Sequence, residues 1–85
     1  MPFGVTAMEE RVYIIDPALF ISHRKSVLDE LISEALREGK MTVEDEEKMW
    51  KELNCEPWPD DPSLIDAAID YVASRLGVIV KYEFR

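Results

Sequence analysis

The hydrophobic period of this chain changes at one residue, Gly77. Before it, Leu64, Ile65, Ala68, Ile69, Val72 and Leu76 recur at the three-and-four spacing of one helix face. After it, Val78, Val80, Tyr82 and Phe84 alternate with Ile79, Lys81 and Glu83, the period-two pattern of a strand with one buried and one wet face. A glycine suits the junction, because it reaches the left-handed backbone that ends a helix at little steric cost. One strand is unstable in water by itself, and a sheet with one apolar face must be covered by helices.

Similar signals place the other elements. Arg11-Val12-Tyr13-Ile14-Ile15 is β-branched and aromatic, and reads as a strand closed by Asp16-Pro17. Phe3 and Val5 offer only two positions for a partner strand. Asp16-Pro17 is also a helix start, although Ser22 or Ser26 equally fits a later cap. Val27, Leu28, Leu31, Ile32, Ala35 and Leu36 mark that helix's apolar face, and Gly39 ends it. Thr42 opens a second helix, with Glu44, Asp45, Glu46 and Glu47 where the helix dipole favours negative charge. Pro57 and Pro59 impose a loop, and Asp61-Pro62 starts a third helix. The expected fold is α+β: a small β-α-α-α-β domain with three helices packed on a two-stranded sheet. Residues 1–85 are expected to form one domain, with 1–10 weakly ordered. Whether the two strands run parallel is open at this level.

Eighty-five residues make a thin core, burying roughly 60–65% of the unfolded surface. Cys55 is the only cysteine, so no intramolecular disulfide supports that core. The chain has no apolar run of about 18 residues, and its first residues lack the basic start and apolar stretch of a signal peptide. A cytoplasmic protein is expected, with no membrane contact. The C-terminal strand has an edge without proline, which invites a homodimer through Val78, Val80, Tyr82 and Phe84.

Charge gives the main pointer to function. Residues 29–70 hold 14 of the 18 acids and 4 of the 10 bases, and the chain's net charge is −8. Such an asymmetry favours a basic partner and opposes direct binding to nucleic acid. Glu30, Glu34 and Glu38 stand four apart on one helix, and Asp66 and Asp70 do the same on another. Like charges at that spacing weaken a helix slightly. They read either as a solvated face or as a docking surface for basic side chains. Trp58, held between Pro57 and Pro59, is an anchor for a partner or folds back on the core; Trp50 has Met49 and Leu53 beside it and reads more readily as core, but remains a second anchor candidate.

His23-Arg24-Lys25 is the sole basic cluster. It is expected to be an exposed polar turn, with an ion pair to the acidic middle as the alternative. His23 and Cys55 do not make a metal site, which needs three or four ligands, and no cofactor motif is present. No residue set marks a catalytic centre, and the chain is small for a closed pocket.

The opening order, Arg11-Val12-Tyr13-Ile14-Ile15 followed by two helices, resembles that of ribbon-helix-helix DNA-binding proteins over about half the chain. The resemblance implies a strand that reads the major groove. The acidic charge implies the opposite. The reading that follows is a small non-catalytic interaction module that covers a basic surface, in the manner of an inhibitor, immunity protein, antitoxin or regulatory subunit. Two alternatives stand beside it: a self-associating structural subunit, and a nucleic-acid mimic occupying the DNA or RNA site of another protein.

Overall fold

The computed structural model describes residues 9–85. The expectations for a partner strand from Phe3 and Val5, and for weak order over 1–8, lie outside the described residues. Glu9 and Glu10, included in the expected weak stretch, belong to the first strand. The order is β1 (Glu9–Ile15), a turn of 3₁₀ helix (Pro17–Leu19), α1 (Phe20–Arg37), α2 (Val43–Glu52), α3 (Pro62–Leu76) and β2 (Val78–Phe84).

β1 and β2 form a two-stranded parallel sheet, paired from Glu9 with Val78 to Ile15 with Phe84. A parallel pair needs a long crossover, and the three helices supply it. Ile15 and Val78 face the helices and are buried, while Tyr13, Val80 and Tyr82 face the same way and are half-buried. Phe84 continues that alternation, but it was expected on the buried face and is 58% exposed. On the other face, Val12 and Ile14 are 54% and 55% exposed.

α1 and α3 lie side by side on the inner face. Leu28, Leu31, Ile32 and Ala35 meet Ile65, Ala68, Ile69 and Val72 there, and Met49 and Trp50 of α2 close the cluster.

The ends of the helices follow their local chemistry. Asp16 accepts the Ala18 N–H at 2.9 Å and so caps the 3₁₀ turn rather than α1. α1 begins at Phe20 without a side-chain cap, and Ser22 and Ser26 fall inside it. It ends in a Schellman motif: Lys40 N–H donates to the Ala35 carbonyl at 2.8 Å and Gly39 N–H to that of Leu36 at 3.3 Å, with Gly39 at φ 72°. Thr42 and Asp45 form a capping box, each side chain accepting the other's backbone N–H, at 3.1 and 3.0 Å. That backbone donor holds the Asp45 carboxyl below its usual range. Asp61 caps α3 through the Ser63 N–H at 2.9 Å, and Gly77 ends it at φ 73°.

Candidate interaction surface

α1 runs back along β1. Asp16 N–H, just past the end of the strand, donates to His23 Nδ1 at 3.0 Å. Near the strand's start, Arg11 grips Glu34 with two parallel bonds of 2.6 and 2.7 Å, and its Nε reaches Glu9 at 2.7 Å. The Arg11 guanidinium holds the Glu34 carboxyl below its ordinary value, and the two carboxylates raise Arg11 in return. The strand's single basic residue is therefore occupied within the chain, which removes the cation that a DNA-reading strand would present.

Between these two contacts lies a cleft of about 220 Å³. Tyr13 and Ile14 form one wall and His23, Ser26 and Glu30 the other, over a floor of Ile15 and Val27. Burial pushes the Tyr13 hydroxyl up, the neighbouring Arg11 guanidinium opposes that shift, and the charge of Glu30 adds to it.

Where α1 faces α3 and β2, Arg24 is only 7% exposed. Its guanidinium is paired with Asp66, 4.4 Å from the centre of the Phe20 ring and 4.7 Å from that of Tyr82. The Tyr82 hydroxyl donates to the same Asp66 oxygen at 3.3 Å, and burial followed by the Asp66 charge pushes that hydroxyl up to about 12. Arg24 Nε is buried without a partner among the described residues. Asp66, Asp70, Val80 and Tyr82 line a second cleft of about 190 Å³. Lys25 pairs with Asp60. The basic triplet expected to be an exposed turn is thus tied to the acidic middle, and its central residue is buried.

These contacts divide the carboxylates expected to meet a partner. Glu34 and Asp66 are held by Arg11 and Arg24. Glu30, Glu38 and Asp70 are exposed and make no ion pair among the described residues. With its middle member paired to Arg11, the Glu30–Glu34–Glu38 row presents its charge unevenly. Trp50 is 2% exposed and lies in the core. Trp58, at φ 58°, packs its ring 5.8 Å from that of Trp50 while staying half-exposed.

Over the described residues, Glu9, Glu10, Glu34, Asp45, Asp60 and Asp66 sit in ion pairs. The other 12 of the 18 acids do not. Of the bases, Arg37, Lys40, Lys48, Lys51 and Arg85 are unpaired. Internal pairing leaves the molecule strongly negative. No group of three or more potential metal ligands occurs among the described residues, nor any helix long and apolar enough to cross a membrane. Comparison with known proteins finds no matching family model, no similar curated protein and no similar solved structure.

The division is measurable. Glu30→Gln and Glu38→Gln are expected to change the free energy of urea unfolding by less than about 0.5 kcal/mol. Glu34→Gln is expected to lose about 1 kcal/mol, because Arg11 then loses its bidentate partner. The Glu34 contribution also has a defined pH window. Its folded-state carboxyl titrates below the unfolded one, so the stabilisation is complete above the ordinary value of 4.5 and disappears as pH falls through the lowered value. Native protein and Glu34→Gln should therefore converge in stability as pH falls below that lowered value. An unchanged gap there would contradict the assignment.

Proposed function

We propose that this protein is a small, non-catalytic interaction module that covers a basic surface on a macromolecular partner, as inhibitors, immunity proteins, antitoxins and regulatory subunits do. The observation that carries the reading is the surplus of carboxylates left after internal pairing, with Glu30 of α1, Glu38 at its C-cap and Asp70 of α3 exposed. Negative potential of this kind steers a basic partner into encounter and makes the complex sensitive to salt. Trp58 supplies a half-exposed aromatic contact. A single half-buried thiol, Cys55, fits a reducing, cytoplasmic setting.

A second reading is self-association through β2, whose outer edge is unpaired among the described residues and whose Phe84 is exposed. The test is capture from native lysate by the immobilised protein and by its Glu30→Gln/Glu38→Gln/Asp70→Asn variant. Basic proteins held at about 0.1 M salt should elute at about 0.5 M, where the screening length falls below 5 Å. The variant should retain few of them. Equal capture by the variant, or capture indifferent to salt, would refute the reading.

A further inference from the structure

We propose that the open edge of β1 receives an extended, lysine- or arginine-bearing segment of the partner as a third strand, with one basic side chain laid in the neighbouring cleft against Glu30. This rests on the interaction reading above and specifies how the basic partner is held.

Among the described residues the sheet has two strands, so β1 has one neighbour there. Arg85 N–H donates to the Ile15 carbonyl at 3.2 Å, which shows that the backbone groups of Ile15 point towards β2. Backbone groups in a strand alternate in direction, so those of Val12 and Ile14 point to the open side. Edges of this kind are commonly blocked by proline, a bulge or an inward charge. Val12-Tyr13-Ile14-Ile15 contains no proline and no charge, and its pairing with β2 runs without a bulge.

The cleft follows the same edge. Tyr13 and Ile15 point to the helices and Ile14 to the opposite face, so a hollow lined by all three wraps around the side of the strand. Over it stand His23, Ser26 and Glu30, at helical spacings of three and four on α1. An inward-facing side chain of an added strand would enter between Tyr13 and this row.

The lining selects what that side chain is. Ile15 and Val27 give an apolar floor for a methylene stem. Glu30, exposed and without an ion-pair partner among the described residues, meets a cationic head. Among the described residues no lysine or arginine lines the cleft, and Nδ1 of His23 is already engaged by Asp16. A second copy of this chain fits poorly, since each carries a net charge of −8 and the one base of β1, Arg11, is already held by Glu34 and so is not free to meet Glu30.

The probe is a capped heptapeptide alternating lysine with valine, compared with its glutamate-for-lysine counterpart and with a lysine version N-methylated at alternate residues. Amide hydrogen exchange of the full-length protein is followed by NMR. The lysine peptide is expected to slow exchange at Val12 and Ile14 by about tenfold or more, as new strand pairing protects those amides. The other two peptides are expected to leave them unchanged. Glu30→Gln should weaken the lysine peptide about threefold without altering the urea midpoint. Lysine-peptide binding with protection elsewhere, or equal binding of the N-methylated version, overturns the edge assignment while the acidic-surface reading stands. Equal binding of lysine and glutamate peptides, or no binding of the lysine peptide at low salt, overturns both. Protection without peptide that grows with protein concentration assigns the edge to a second copy and overturns the proposal.

Discussion

Replacing Leu31 by alanine is expected to lower stability by about 3–4 kcal/mol. Leu31 is fully buried where α1 meets α3, among Leu28, Ile65 and Val72, which are likewise inaccessible. The loss has two parts: the transfer free energy of the deleted methine and two methyl groups, and the cavity left when the surrounding helices only partly close the gap. The total stability of so small a domain is about 5–15 kcal/mol, so a single truncation takes a large share of it. The melting temperature should fall by on the order of 15–20 °C. Calorimetry and urea unfolding read the same quantity. A loss under about 1 kcal/mol would mean that α1 and α3 are not packed as described.

Removing the Asp66 carboxylate is expected to cost about 2–3 kcal/mol, nearly as much, for a different reason. Arg24 is buried between the rings of Phe20 and Tyr82, and Asp66 is its one anionic partner among the described residues. With alanine at 66, a guanidinium remains in that slot without its counter-charge, and its Nε already lacks an acceptor. The figure lies below the usual cost of breaking a buried pair because the Asp66 side chain is 42% exposed, so water partly replaces it. Arg24→Met in the Asp66→Ala background should restore much of the loss, since an apolar chain of similar length fills the space without needing a partner. Failure of that second substitution to restore stability would show that Asp66 acts through something other than Arg24.

Much of the fold was legible because it is written in local chemistry. Gly39 and Gly77 sit at the left-handed ends of α1 and α3, and Thr42 and Asp61 cap the helices that follow them. The direction of strand pairing was not legible, because the crossover path decides it and no residue in either strand encodes it. The charge of the triplet alone points to an exposed turn, whereas Arg24 is buried. Its spacing carried the correct signal: Phe20, Arg24, Leu28, Leu31 and Ala35 share one face of α1.

The acidic rows were found as sequence patterns, but their division was not. Glu34 and Asp66 meet their arginines only once β1 is laid against α1 and Arg24 of α1 reaches α3. The cleft beside β1 was missed for the same reason. His23, Ser26 and Glu30 form a recognisable stripe, yet nothing in it says which strand will lie alongside.

The most direct test of the account is the salt dependence of the dissociation constant for a captured basic partner, measured with the native protein and with the Glu30→Gln/Glu38→Gln/Asp70→Asn variant. The account predicts that raising salt from about 0.05 to about 0.3 M weakens the native complex by tenfold or more, and that the variant binds more weakly at low salt with a shallower dependence. The same dissociation constant for both proteins at both salt concentrations would contradict it.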